Sequence, residues 1–164
     1  IKKYLVIVND LSQNQLLFKH RLFLKTPGKI VVGEDELGLY LSKDSYHRYD
    51  SLADAIVSID VDKGVQLYLA FKPLLKQVYK DFAYPEDYQL QDVFLKAAAN
   101  VIKAPVIDSR IALLPYSVRY KFADNKLEAL TDVEKLMIRM GPENTLKIQS
   151  KLRQLVQALV VLSE

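Results

Sequence analysis

Apolar residues recur every three or four positions along much of the chain, and this spacing limits the fold more than any other feature. Near the end of the sequence, five residues show this spacing: Ile148, Leu152, Leu155, Leu159 and Leu162. Such a repeat places the apolar side chains along one side of an α-helix, where other helices can cover them. The sequence therefore predicts a mainly α-helical fold.

Helix start and stop signals divide this pattern into five or six helices. They are predicted at about residues 1–11, 44–58, 62–84, 85–103, 131–140 and 142–162. Thr131 and Glu134 form a capping-box pattern, and Gly141 followed by Pro142 suits the end of one helix and the start of the next. Pro73 lies inside the longest predicted helix, where it is expected to produce a kink. The stripe that this helix should bury consists of Tyr68, Phe71, Leu75, Val78 and Phe82.

Short segments with strand character predict a minor β element. A hairpin is expected from Ile111–Leu114 and Ser117–Phe122, with its turn near Pro115 and with Val118 and Tyr120 on its buried side. Residues 30–33 and 37–41 resemble two further short strands around an acidic bend at 34–36. The predicted fold class is a mainly α, single-domain helical bundle of about five to six helices with a small antiparallel β hairpin, over residues 1–164.

Composition excludes several classes of function. The chain has 164 residues, with 23 basic and 20 acidic side chains, and the net charge of +3 is too small to indicate nucleic-acid binding. No cysteine is present, and the two histidines are far apart, so neither a thiol nucleophile nor a metal site is predicted. The five glycines form no phosphate-binding motif, so no cofactor is expected. These observations weigh against an enzyme and identify no catalytic residue.

One candidate interaction surface comes from two polar motifs. It consists of His47, Arg48, Tyr49, Arg139 and Asn144. Arg48 and Arg139 lie next to predicted helix boundaries, where they can bind a carboxylate or peptide of a partner. They can equally hold helix ends together by pairing with acids of the same chain, such as Asp60, Asp124 or Glu128. The second interpretation, which makes them structural, is favoured.

A second candidate is a basic segment with neighbouring aromatic residues. Its basic members are Lys19, His20, Arg21 and Lys25, and Phe18 and Phe23 lie beside them. Such a loop can bind an anionic partner, including phospholipid headgroups. The favoured alternative is an exposed loop without such a role, because the acidic bend at 34–36 cancels part of its charge.

The final predicted helix is apolar over more than one face. Val156 and Val160 widen its apolar stripe beyond a single contact. A central position in the core is the favoured explanation, and a homodimer formed through this helix is the alternative.

Several motifs, taken together, carry a family resemblance. They are Ile1–Leu11, Tyr46–Tyr49, Tyr68–Tyr79, Tyr84-Pro85, Tyr120–Asp124, Leu127-Glu128 and Arg139–Asn144. In order and spacing they resemble the bacterial domain-of-unknown-function family 3014, and the last motif is the most distinctive. The resemblance implies an envelope protein of Gram-negative bacteria with a membrane anchor and a Pro-rich linker upstream of Ile1. It implies no known activity.

The family resemblance names no specific function and leaves a general class of function to be predicted. The resemblance and the lack of a catalytic pattern favour a non-enzymatic interaction module at the periplasmic face of the inner membrane. Its partner would be an envelope protein, no nucleic acid would bind, and membrane contact would come only through the upstream anchor. The alternative is a small-molecule or glycan binder, or a cryptic enzyme, with a groove between the kinked helix and the hairpin.

Overall fold

Helices make up most of the chain in the computed structural model, which describes residues 2–21, 24, 26–80 and 89–161. The α-helices are α1 (Lys2–Ser12), α2 (Phe18–Arg21), α3 (Asp50–Val57), α4 (Val61–Lys80), α5 (Leu90–Ile102), α6 (Asn125–Glu128), α7 (Asp132–Met140) and α8 (Pro142–Val161). A 3₁₀ helix, Lys43–Tyr49, precedes α3. The predicted mainly α fold is confirmed. None of the described helices has both the length and the apolar composition needed to cross a membrane.

Two antiparallel hairpins lie side by side. The strands are β1 (Val32–Asp35), β2 (Gly38–Leu41), β3 (Leu113–Tyr116) and β4 (Arg119–Phe122). β1 pairs with β2 and β3 pairs with β4. The two hairpins meet where the Leu41 amide donates to the Ile111 carbonyl at 2.9 Å and Tyr40 forms a bridge with Ala112.

Buried apolar residues form three clusters. The first joins the 3₁₀ helix, α3, α5, α7 and α8 around Ala53, Val133 and Met137. The second lies beneath the hairpins and includes Ile111 and Phe122. The third packs α1 against α4 and α5 and consists of Leu5, Tyr79, Leu90 and Val93, with half-buried neighbours that include Tyr68 and Phe94.

Several local predictions hold and others are wrong. The capping box of α7 is present, with Thr131 and Glu134 each bonded to the other's backbone amide, and Pro142 begins α8. The predicted helix over residues 44–58 begins instead as a 3₁₀ helix and becomes α-helical at Asp50. Phe82 and Leu162 lie outside the described residues.

The β3–β4 hairpin turns two residues later than predicted. Pro115 lies within β3, opposite Tyr120, and the connection is formed by Ser117 and Val118. β3 belongs to a two-stranded sheet, and proline is tolerated in such edge strands because its missing amide can face away from the partner strand. Val118 and Tyr120 are exposed rather than buried, because the core cluster ends at Phe122.

Gly141 holds the corner between α7 and α8. Its φ of 84° lies in the region that favours glycine, and a Cβ at this position would overlap the ring of Tyr46. An L-residue would therefore meet both backbone strain and a steric clash in a buried setting.

We expect Gly141→Ala to reduce the free energy of unfolding by about 3 kcal/mol or more. Gly38→Ala is the matched control, because Gly38 has a φ of 96° and open space around it, so it should cost only the strain, about 1–2 kcal/mol. Urea denaturation of both variants measures the difference. Equal losses would contradict the close packing of Tyr46 on Gly141.

Candidate functional site

Part of the predicted interaction surface lies in a groove at the α7–α8 corner. The groove has a volume of about 520 Å³ and is lined by Lys43, Tyr46, His47, Asp50, Asp108, Met140, Gly141, Pro142, Glu143, Asn144 and Leu146. It brings His47 and Asn144 together across nearly 100 residues of sequence. Both side chains meet at the carboxylate of Asp50.

Asn144 is buried at the base of this groove. Its side-chain nitrogen lies 2.8 Å from Oδ1 of Asp50, 3.1 Å from the Met140 carbonyl and 3.2 Å from the Tyr46 carbonyl. The hydrogen bond from Asn144, followed by the one from His47, lowers the pKa of Asp50. Asn144 thus joins the C-terminal end of α7 to the 3₁₀ helix and to the start of α3.

His47 is exposed at the rim of the groove. Its Nδ1 lies 2.8 Å from Oδ2 of Asp50, and this hydrogen bond is the main reason that the pKa of His47 is raised. On the same helix face, Asp54 lies 3.6 Å from Nζ of Lys147, which also contacts Glu143 at 2.9 Å. The two carboxylates of α3 are therefore each paired with a basic side chain.

The two arginines of the predicted surface contact aromatic rings of their own chain. The Arg48 guanidinium lies 5.2 Å from the ring centroid of Tyr49, which is buried, and donates to its hydroxyl at 3.2 Å. Arg139 stacks over Phe122 at 4.9 Å. Although burial opposes it, the pKa of Glu128 is lowered, first by the hydrogen bond from the Phe122 amide, then by Lys135, and least by the charge of Arg139. Neither arginine lines the groove of His47 and Asn144. Recognition of a partner by these two residues stays a prediction.

The predicted basic loop is partly the short helix α2. His20 is half-buried, with its Nδ1 2.6 Å from Oδ2 of the buried Asp10, which also accepts the Leu17 amide at 3.0 Å. Lys19 is exposed. The side chain of Arg21 and the whole of Lys25 lie outside the described residues. His20 therefore holds the chain after α1, and binding of an anionic partner by this segment stays a prediction.

The predicted acidic bend at 34–36 is only partly a turn: Glu34 and Asp35 belong to β1, and Glu36 and Leu37 form the turn to β2. Arg110 donates two hydrogen bonds to the Asp35 carboxylate, at 2.7 and 2.9 Å, and a third to the Gly38 carbonyl. The bonds from Arg110 are the main reason that the pKa of Asp35 is lowered. Among the described residues, no group of three or more His, Cys, Asp or Glu side chains could hold a metal ion.

A second groove, which the sequence did not indicate, lies between α4, α5 and α8. It has a volume of about 380 Å³ and is lined by Ile59, Gly64, Val65, Leu67, Tyr68, Phe94, Leu95, Ala98, Leu152, Leu155, Val156 and Leu159. Tyr68 supplies the polar side-chain atom among these lining residues, and its hydroxyl is buried without a hydrogen-bond partner in the described part of the chain. None of the lining residues belongs to the β3–β4 hairpin, so this is not the groove predicted between the hairpin and the Pro73 helix.

One feature of the sequence could have revealed this surface, namely the excess of apolar residues in α4. Leu67, Leu69 and Leu74 lie off the predicted stripe, and the structure exposes all three. Phe71, which was predicted to be buried, is also exposed. A helix with more apolar residues than one face can bury must leave some of them uncovered within the domain.

We expect His47→Gln to destabilise the protein more at pH 5.5 than at pH 9. Because the pKa of His47 is raised in the folded state, its contribution is complete below the unfolded value of about 6.5 and is lost as the pH rises through the folded value. Urea denaturation at both pH values measures the effect. In an Asp50→Asn background the difference should become much smaller, because only the weaker effects of the Asp44 and Glu143 charges on the pKa of His47 remain. A difference of unchanged size there would contradict the pairing.

The comparisons with known proteins identify the family. No curated protein and no solved structure gives a significant match to the chain. Residues 1–156 match the family described as "Protein of unknown function (DUF3014)". This match spans all the motifs on which the sequence resemblance rests, including the helix corner at 139–144. The chain therefore belongs to the DUF3014 family, whose function is unknown.

Proposed function

We propose that this domain is a non-catalytic protein-interaction module of the bacterial envelope, and that it binds an amphipathic helix of a partner protein. The binding surface is the apolar groove between α4, α5 and α8, together with the exposed face of α4 that adjoins it. The resemblance described above supports the location at the periplasmic face of the inner membrane. The exposed apolar face of α4 is the observation that carries the proposed binding.

This face continues from the rim of the groove along α4. Leu67, which lines the groove, is 60% exposed, and Phe71 and Leu74 are 44% and 41% exposed. The three residues have i, i+4 and i+7 spacing, so they lie on one side of the helix. Contiguous apolar surface of this kind commonly marks an interface in a soluble domain. A partner helix with apolar residues at the same spacing would cover it.

Charge indicates the chemistry of the partner helix. α4 carries four lysines, Lys63, Lys72, Lys76 and Lys80, and a single acid, Asp62. Three of the lysines are exposed and Lys72 is half-buried. Lys63 lies four residues before Leu67 and therefore on the same side of α4, whereas Lys72, Lys76 and Lys80 lie on the opposite side. A partner helix with an acidic residue at the end of its apolar stripe that meets Lys63 would be attracted to this surface and held in one orientation.

The groove suits a glycan or a polar small molecule less well. Such ligands are oriented by several polar groups that converge on them. Apolar side chains dominate the lining, and the buried Tyr68 hydroxyl is the polar side-chain group among the lining residues. The apolar surface is therefore the better match to a helix.

We expect Leu67→Glu to reduce cross-linking of the full-length protein to its partner in cells by about tenfold or more, because it places a charge in the apolar contact. Cross-linking followed by affinity capture and quantitative mass spectrometry measures this loss. The cross-linked partner segment should be an amphipathic helix with an acidic residue near one end of its apolar stripe.

Leu37→Glu is the matched control. Leu37 is also an exposed leucine, 80% accessible, but it lies at the turn between β1 and β2, away from α4. Its substitution should therefore leave the cross-link unchanged. Absence of any cross-linked protein that depends on Leu67 would contradict the proposal. Loss of a homodimer in Leu67→Glu, measured by sedimentation, would show that a second copy occupies this surface instead of another protein.

A further inference from the structure

The tip of the β3–β4 hairpin extends beyond the core. Leu113 and Phe122 pair at its base and are buried, whereas Tyr116 and Val118 near the tip are 65% and 92% exposed. Tyr120 is exposed as well. The hairpin thus presents a small apolar and aromatic end that the described part of the domain does not cover.

Apolar groups lie on both faces of this end. On the face that continues from the core, Pro115 pairs with Tyr120. On the opposite face lie Leu114 and Tyr116, since successive residues of a strand point to alternate sides. A strand pair that docks on a flat protein surface needs only one apolar face, whereas a segment immersed in an apolar medium meets that medium on both.

The turn residues depart from ordinary hairpin chemistry. Two-residue turns favour glycine or asparagine, because at least one position needs a positive φ. Here Ser117 has a φ of 53°, and the next position is the β-branched, nearly fully exposed Val118. A local preference broken at so exposed a tip is typical of a functional site.

The charged residues of the β3–β4 hairpin itself all have one sign. Arg119 and Lys121 are basic, and residues 113–122 include no acid. Nζ of Lys121 lies 5.6 Å from the ring centroid of Tyr116, so this cation sits directly beside the aromatic end. Tyrosine rings favour the membrane–water interface, and each basic side chain near an anionic lipid surface adds about 1 kcal/mol of attraction.

We propose that the β3–β4 tip inserts into the interfacial layer of an anionic phospholipid membrane. Val118 and the Tyr116 ring enter the headgroup boundary, and Arg119 and Lys121 contact lipid phosphates. This contact is independent of the α4 surface and of any anchor. It gives the domain a second, peripheral attachment that fixes which end faces the bilayer.

Vesicle binding of the 164-residue chain tests this proposal. We expect it to co-sediment with phosphatidylglycerol/phosphatidylethanolamine vesicles much more than with phosphatidylcholine vesicles. Val118→Asp should reduce the bound fraction by about tenfold, because it removes an inserted apolar group and adds a repelled charge. Leu37→Asp makes the same change at the tip of the other hairpin and should leave binding unaltered.

A fluorescence measurement distinguishes insertion from contact by charge alone. The chain contains no tryptophan, so Tyr116→Trp provides a single reporter, with Leu37→Trp as its control. On anionic vesicles the emission of Tyr116→Trp should shift to shorter wavelength, and that of Leu37→Trp should not. Binding that is unaffected by Val118→Asp, or that occurs without the spectral shift, would overturn the proposal. Absence of binding to anionic vesicles would overturn it too and would leave the α4 proposal untouched.

Discussion

Buried amide side chains that cap helix ends are the interaction on which the packing of this domain depends. A helix leaves its last four carbonyls without partners, and burying them unpaired is costly. Asn100 donates to the carbonyls of Leu11 and Ser12 at the end of α1. Gln149 donates to the carbonyl of Val101 in the last turn of α5 and to that of Ala104, two residues after the helix ends. Asn144 does the same for Met140 at the end of α7. Each helix can therefore end inside the core, and the donor comes from the helix packed against it.

This arrangement explains why the most distinctive sequence motif, 139–144, serves the fold at most of its positions. Gly141 provides the backbone conformation of the corner, Pro142 begins α8, and Asn144 connects α7 to the 3₁₀ helix and Asp50. The sequence predicted a helix boundary at this corner, because the conformational preferences of Gly and Pro act on their immediate neighbours. It did not separate structural from recognition roles, because the partners of Arg139 and Asn144 lie 17 and more than 90 residues away.

Local signals explain what could be predicted. Helix periodicity, the capping box at Thr131 and the Pro142 start depend on neighbouring residues, and the sequence contains all of them. Burial depends on what packs against a face. The stripe through Phe71 correctly placed that residue on a helix but wrongly in the core. Among the described elements α4 packs against α5, α8 and, around Tyr79, α1, and Phe71 stays exposed beside these contacts. The prediction of burial in the β3–β4 hairpin was wrong for a similar reason. Its side chains do alternate between two faces, but the core ends at Phe122, and Val118 and Tyr120 extend past it.

The two proposed surfaces rest on different parts of the core, and this separation gives them independent consequences. The α4 groove borders the cluster of Leu5, Tyr79, Leu90 and Val93, whereas the hairpin rises from the cluster of Leu41, Ile111, Leu113 and Phe122. Substitutions in sites that share no contacts usually have additive effects. A variant at Leu67 should therefore leave lipid binding intact, and one at Val118 should leave partner binding intact. A domain with both contacts would orient its α4 face relative to the bilayer while it holds a partner. Additivity in a Leu67→Glu/Val118→Asp double variant distinguishes such a two-contact module from a single extended interface, in which the effects of the two substitutions would be coupled.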